Sequence, residues 1–386
     1  MKIVFCHDTK TVVSNRSLYS SGGLNKNIIS RYLKLSDDFS LLTRESDINN
    51  SENLSILGDL DHISFTAIPN LASGGFASFK AAYKVINEIL NKNDFIIIRL
   101  PSIIGLIAVY LAYKKNKKHV IEIVGCALDS YRLHSLKGKI IAFPMYCITK
   151  YLVKKASNVL YVTDSFLQNR YPSNSNNKIG CSDVELIIDN TVLSKRFKKI
   201  DLKSKDDFIR IGMIGFLEAK YKGFETALRA LRKIKKDRNN KYLLEIVGGG
   251  NPSYINALVT EFGLENQVNI IGALSHPTGI FNWLDSVDIF IQPSKTEGMP
   301  RALIEAMSRA CACIGSDAGE IPELLEFNHV HKKNDFKRLA LSIIELSNST
   351  QMKLNSENKF HKSKEYNKKR LDDKRHKFYI KSMNNL

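Results

Sequence analysis

Short, unbroken runs of β-branched and other apolar residues recur along this chain of 386 residues, each followed by a longer stretch of helical character. They lie at 3–5, 95–98, 120–124, 159–162 and 184–188, then at 209–214, 243–247, 268–271 and 287–291. Because the runs are continuous instead of alternating, each must be buried on both faces, which is the situation of a strand in a parallel sheet flanked by helices. The class this dictates is α/β, doubly wound. At roughly 100–200 residues per domain, the length gives two domains or at most three. The polar, charged stretch between Asn190 and Phe208 reads as a hinge, with a fresh βα series starting on each side. The expected parts are residues 1–195, residues 196–355 and a basic C-terminal segment, 356–386.

Charge narrows the classes of partner. With 57 Lys and Arg against 39 Asp and Glu, the formal net charge is +18, although the charged and apolar fractions are ordinary. An excess of this sign suggests a polyanion: nucleic acid, an acidic membrane face or a phosphorylated small molecule. Six cysteines, with no C-x-x-C pair, read as reduced thiols. The four apolar residues before His7 and Asp8 are too few for a secretory leader, and the strongest apolar segment, 100–113, is too short to cross a bilayer. A cytoplasmic location is expected.

Ligands of doubly wound sheets bind beyond the carboxyl ends of the strands. After the first run come His7-Asp8 and then Gly22-Gly23, where glycine lets a backbone approach a ligand closely, or simply turns. Neither G-x-G-x-x-G nor G-x-x-x-x-G-K-[ST] occurs, which argues against a dinucleotide dehydrogenase and a P-loop NTPase. The pair Asp59-x-Asp61 reads as a polar surface loop, and no His/Cys cluster has zinc-ligand spacing, so no metal or cofactor is expected.

The segment 293–325, PSKTEGMPRALIEAMSRACACIGSDAGEIPELL, carries the chemistry. Pro300 suits a first helical position, so a helix is expected to start there. Its free N–H groups, around Met299, Arg301 and Leu303, and its positive dipole end make a ready site for a diphosphate. Glu297 lies in the loop ahead of this mouth, and Glu305 lies in the second turn with its side chain tilted back toward the start. Carboxylates accept from sugar hydroxyls while helix N–H groups hold phosphate, so the motif can grip both ends of a nucleotide-sugar. A capped amphipathic helix with solvated glutamates fits the spacing equally well.

The context EGMPRALIEAM resembles the signature of glycosyltransferase family 4, the retaining glycosyltransferases of GT-B fold. IGMIGFLEAKYKGFETALRAL, LEIVGGG and VDIFIQPSKTEGMP are similar to that family's donor-binding segments. RLPSIIGL, IEIVGCALDSYRLHS and YVTDSFLQNRYP are similar to its polysaccharide-associated branch. The resemblance implies two Rossmann-like domains with parallel sheets facing a cleft, the first binding the acceptor and the second the nucleotide-sugar, and a C-terminal helix crossing back. It implies that Glu297 contacts the donor sugar, with Gly298 and Met299 presenting N–H groups, and that Glu305 binds the ribose hydroxyls. Lys222 would neutralise the diphosphate, close to Gly215. Family members often carry arginine after that glycine; here the residue is Phe216, and Lys220 is the candidate to supply the charge. A histidine usually follows the strand ending IEIV, but this chain has Val124 before Gly125, leaving Arg99, Asp129 and His134 as candidates for that space.

The implied activity is transfer of a sugar, with retention, from a nucleotide-sugar to a lipid-linked (polyprenyl) or oligosaccharide acceptor in cell-surface polysaccharide biosynthesis. A nucleotide-sugar epimerase keeps the fold and needs no acceptor. From Ser130 to Thr163 there is no acidic residue, while Ile140, Ile141, Ile148, Tyr151 and Leu152 recur at helical intervals among lysines. This reads either as a basic amphipathic helix on an anionic membrane or as a core-facing helix with a solvated lysine face. The cluster Lys114-Lys115-Asn116-Lys117-Lys118 reads as a solvated helix end. The basic tail lacks the interleaved stacking aromatics of a single-strand binder, so nucleic acid is not expected as a partner.

Overall fold

The computed structural model describes residues 1–20, 24–45, 54–69, 75–134, 136–204, 206–235 and 241–384. The chain forms two compact units, Met1–Asp183 with Leu371–Leu386, and Val184–Arg370. The first unit therefore ends ahead of the expected boundary at 195, and the chain returns to it at Leu371 instead of 356.

In the first unit the described strands are β1 (Ile3–Ser14), β2 (Ser17–Ser20), β3 (Phe39–Glu45), β4 (Ser55–Asp59), β5 (Ser64–Ile68), β6 (Phe95–Leu100), β7 (Lys118–Ile123), β8 (Asn158–Tyr161) and β9 (Asn177–Gly180). The helices are α1 (Lys26–Leu33), α2 (Gly75–Lys92), α3 (Ile103–Lys114), α4 (Ala127–His134), α5 (Leu136–Lys155) and α6 (Phe166–Arg170). Strands β5-β3-β1-β6-β7-β8-β9 pair in parallel, as unbroken apolar runs require, and β2 and β4 add an antiparallel ribbon to β1. The first strand runs through His7 and Asp8 instead of ending at Phe5, and its pairing with β3 shifts register between Cys6 and Lys10. Asp8 is used structurally: its carboxylate accepts the N–H groups of Ile103 (2.6 Å) and Ile104 (2.9 Å), capping α3.

The second unit holds α7 (Thr191–Leu202), β10 (Phe208–Ile214), α8 (Phe224–Ile234), β11 (Lys241–Val247), α9 (Ser253–Phe262), β12 (Val268–Gly272), α10 (Thr278–Ser286) and β13 (Ile289–Gln292). After these come α11 (Arg301–Ser308), β14 (Ala312–Ser316), α12 (Ile321–Leu324), β15 (Val330–His331), α13 (Phe336–Leu346), α14 (Ser349–Ser363) and α15 (Lys368–Asn384), the last passing into the first unit. The sheet, ordered β12-β11-β10-β13-β14-β15, is parallel throughout. Its core joins Ile211, Phe224, Leu228, Ile246, Ile289 and Ile314, all buried, each contributing roughly 1.5–3 kcal/mol.

Two expectations fail. Residues 184–188 are no strand; Leu186 makes only an isolated bridge to Asn367. Nor is the charged stretch after Asn190 a hinge, because it forms α7, whose buried face is Val192, Arg196 and Ile200. The Arg196 guanidinium donates to the carbonyls of Leu284 and Arg309, both at 2.9 Å, and to that of Val287. A charged side chain thus serves as core by capping carbonyls.

The basic helix packs one face on the core, as one of its two readings expects, but also leaves an apolar stripe exposed. Along α5, Ala142, Met145, Leu152 and Val153 are buried, whereas Ile140 is 78% exposed, Phe143 63% and Tyr151 59%, with Ile141 and Ile148 beside them. Among the described residues no helix is long and apolar enough to cross a membrane.

Candidate active site

The site of the second unit grows from the carboxyl ends of β10, β13 and β14. After β13 the chain runs through Gln292 and Ser294, both buried, into the loop bearing Glu297. That loop is tied down on three sides. Ser316 Oγ donates to Ser294 O (2.5 Å), Lys295 N donates to Tyr221 O (2.7 Å), and the backbone of residue 319 crosses directly over Glu297. Only glycine permits the crossing, since Gly319 has φ +57° and a Cβ there would lie 2.1 Å from Glu297 O. Gly223, with φ +83°, meets Pro293 O in the same way at 2.0 Å, which seats the turn carrying Lys222 against the loop.

Glu297 Oε1 accepts from Lys222 Nζ, Gln292 Nε2 and Ser294 Oγ, each at 2.7 Å. No described residue bonds its Oε2, so one oxygen is fixed by three donors while the other is available to a ligand hydroxyl. The Lys222 stem lies against Gly215, where a Cβ would stand 2.9 Å from Lys222 Cγ. Glu305 is buried in α11, and its Oε1 lies 3.0 Å from His276 Nε2. A carboxylate can only accept, so the Nε2–H of His276 donates. The helix starts one residue later than expected, at Arg301. Pro300 precedes it with φ −81°, Arg301 N closes a turn onto Met299 O (3.0 Å), and Ile304 N reaches Pro300 O. The N–H groups ahead of Ile304 precede the full intrahelical ladder. Glu297, Gly298, Met299, Pro300, Arg301 and Glu305 are therefore gathered at one helix mouth, with Lys222 on Glu297.

The other expected residues make contacts of their own. Lys220 Nζ lies 4.6 Å above the Tyr254 ring, and it is Lys222 that bonds the Glu297 carboxylate. Phe216 is exposed. In the first unit Arg99 is buried, its Nε donating to Glu122 Oε2 (3.1 Å) and its NH2 pairing with Asp183. Tyr32 and Tyr379 donate to the same Glu122, while Arg31 (2.6 Å) and Arg375 also face Asp183. Burial would raise the Asp183 carboxyl, but Arg99, Arg31 and Arg375 hold it well below the usual carboxylate range. Arg99 thus anchors an ion-pair network. Asp129 lies 4.0 Å from Arg170. His134 ends α4, and its side chain, like Gly22 and Gly23 entirely, lies outside the described residues. His7, another histidine of this unit, has its Nδ1 2.5 Å from Thr9 Oγ1; burial, then Arg99 and Arg44, push it down to about 3. Asp59 and Asp61 bind Ser17 and Arg16, and among the described residues no three His, Cys, Asp or Glu side chains cluster as metal ligands.

Sequence reasoning missed Gln292, Ser294 and His276. Gln292 ends a strand that reads as purely apolar, and His276 lies 29 positions before its partner; only Ser294, within the motif itself, was open to detection.

Anabaena HepE in complex with UDP superposes on 99% of this chain and 100% of its own with a TM-score of 0.70 at 16% identity. Two α/β units with parallel sheets, one carrying paired glutamates at a helix mouth, define the GT-B glycosyltransferase class. Residues 194–370 match the family described as glycosyl transferases group 1. Protein CapJ of Staphylococcus aureus is 31% identical over 343 residues, 88% of this chain and 85% of CapJ. The amylovoran biosynthesis glycosyltransferase AmsK of Erwinia amylovora is 31% identical over 163 residues, 39% of each chain. The chain belongs to the glycosyl transferases group 1 family and is a glycosyltransferase.

Proposed function

We propose that the chain is a retaining hexosyltransferase that moves a sugar from a nucleotide-sugar to a lipid-linked or oligosaccharide acceptor in cell-surface polysaccharide biosynthesis. The observation that carries this reading is Glu297, fixed through one oxygen by Lys222, Gln292 and Ser294 at the mouth of α11. Its second oxygen accepts from a donor-sugar hydroxyl, and buried Glu305 accepts from the ribose hydroxyls. As the anomeric C–O bond breaks, negative charge gathers on the departing diphosphate, where Lys222 and the N–H groups of α11 stabilise it. Retention sets the new bond on the face that the diphosphate leaves. In this scheme the leaving charge is met by protein groups, and no metal ion or other cofactor is used. The complex of HepE with UDP supports a nucleotide ligand, and the biosynthetic role in the name of AmsK supports a polysaccharide product.

The acid-free face of α5, with its exposed isoleucines, Phe143 and Tyr151, lies on an anionic membrane in this reading, at the inner face where lipid-linked acceptors are found. The test is a thermal-shift screen of nucleoside diphosphates and nucleotide-sugars, followed by assay of the stabilising donor with glycan acceptors in the presence of EDTA. The expected result is a stabilising donor and an α-linked product from an α-linked donor. An inverted product, loss of turnover in EDTA, or an epimerised sugar formed from the donor alone would overturn the corresponding part.

A further inference from the structure

A lysine-lined groove of about 1060 Å³ opens at the amino ends of β7, β8 and β9, the opposite ends of these strands from those where doubly wound folds bind substrates. Lys117 comes from the turn before β7 and Lys118 from its first position, Lys154 and Lys155 from the last turn of α5, and Lys381 from α15. None of the lining residues is Asp or Glu. Like charges gathered around one cavity repel, and nothing among the lining groups offsets them. Where these ammonium groups have partners, the partners are neutral: Lys118 Nζ donates to Met383 O (3.0 Å), Lys117 Nζ to Asn93 O (3.0 Å), and Lys155 Nζ lies 4.3 Å over the Tyr151 ring. Lys154 and Lys381 have no side-chain partner among the described residues.

A second observation points to a ligand. His119, which also lines the groove, is 6% exposed, and its Nδ1 lies 2.8 Å from Lys117 O. A carbonyl can only accept, so Nδ1 carries the proton and donates; Nε2 is then a buried acceptor with no donor. Burial lowers this histidine's pKa, which keeps the ring neutral and able to take a hydrogen bond from a hydroxyl. Five ammonium groups and one hydroxyl acceptor match a phosphate carrying a polar alcohol.

The groove joins the exposed face of α5 at Tyr151, which lines the cavity and closes the apolar stripe of Ile140, Ile141 and Ile148. A bilayer offers apolar chains and phosphates side by side, and this surface presents their complements in the same order. We infer that the groove binds the phosphate headgroup of an anionic phospholipid while the α5 face rests in the interface. The seating of the α5 face rests on the membrane reading proposed above, and the groove's headgroup site is tested apart from it.

The test uses the full chain, sedimented with vesicles of phosphatidylcholine alone or mixed with phosphatidylglycerol, comparing wild type, K154Q/K381Q and I140S/I148S. Lys154 and Lys381 are followed by amine acetylation and mass spectrometry. The expected results are that phosphatidylglycerol vesicles shield both lysines in wild type, that phosphatidylcholine does not, and that K154Q/K381Q loses about tenfold or more in partitioning onto the anionic vesicles with an unchanged melting temperature. If K154Q/K381Q binds these vesicles like wild type and both lysines stay open to acetylation, the groove assignment is wrong. Equal shielding by inorganic phosphate or by RNA without vesicles also overturns it. I140S/I148S separates the two claims: normal binding by that variant, alongside loss in K154Q/K381Q, sinks the α5 reading and leaves the groove standing.

Discussion

Lys222 Nζ and Glu297 Oε1 lie 2.7 Å apart, an ion pair joining the turn before α8 to the loop before α11 across 75 positions of sequence. Both side chains are largely shielded from water, so the contact is stronger than an exposed ion pair. It sets the carboxylate in place before any donor arrives, and it holds the ammonium beside the mouth of a helix. Without Glu297 the ammonium loses this anchor, whereas without Lys222 the carboxylate keeps Gln292 and Ser294 as donors but loses its counter-charge.

Lys222→Met is accordingly expected to lower kcat by about two to three orders of magnitude, the usual cost of removing one charge-stabilising donor. Glu297→Gln should keep nucleoside diphosphate binding and lose transfer. Steady-state kinetics of the two single variants and the double variant give the coupling. Because the residues share one contact, the double variant should be little worse than the poorer single; full additivity would show that they act separately.

Glu305→Ala removes a buried acceptor from the helix mouth. The stabilisation of the protein by UDP should disappear in a thermal shift, since a ligand that no longer binds the native state adds nothing by mass action. His276→Ala, which leaves the carboxylate in place without its donor, should weaken the shift without abolishing it. Normal donor binding by Glu305→Ala would place the ribose elsewhere.

Gly319 and Gly263 make a controlled pair. Both have left-handed backbones, φ +57° and +63°, but a Cβ at 319 meets Glu297 O at 2.1 Å whereas at 263 nothing lies within 4 Å. Each substitution by alanine costs about 1–2 kcal/mol of backbone strain. Gly319→Ala should in addition displace the Glu297 loop, lowering kcat/KM at least tenfold beyond Gly263→Ala at matched loss of melting temperature.

His7 is expected to make the first unit sensitive to mild acid. Its folded pKa of about 3 lies below the ordinary histidine value near 6.5. Between these limits the unfolded chain binds a proton that the folded chain does not. Stability is therefore flat above about pH 6.5 and falls as pH drops toward 3, by at most about 1.4 kcal/mol per unit from this group. Urea midpoints from about pH 7 to about pH 4.5 should decline in wild type and decline less in His7→Asn; equal slopes would mean that the ring takes up its proton in the folded state.

Sequence patterning made the two parallel sheets legible because burial on both faces leaves an unbroken apolar run, as in β6 and β13. It failed where polar atoms do the work of core. The strand β9 reads NKIG, and Asn177 is buried by bonding Asn158 and Ser382. The helix α7 hides one arginine among exposed lysines. In the site, Glu297 and Glu305 were marked by their spacing from a proline. Of their distant partners, Lys222 was named through the family resemblance alone and His276 not at all, since the fold brings both in from far along the chain. Nor does an apolar period say which way a helix faces: the repeat in α5 looks like core, and structure alone turns Ile140 outward.

The first unit is written in two pieces, with the whole of Val184–Arg370 lying between them in sequence. Tyr379 reaches Glu122 across 257 positions, and Arg375 donates to Ser182 O across 193. Closing so long a loop costs little more than closing a short one, because the penalty grows only with the logarithm of length. Order of synthesis is a different matter. A chain still emerging from the ribosome completes the second unit while Glu122 and Asp183 await the tyrosine and arginine of the final helix. Carboxylates left part-paired in this way are costly to bury, so the part made first is finished last, and a message cut short near its end strands the beginning of the protein.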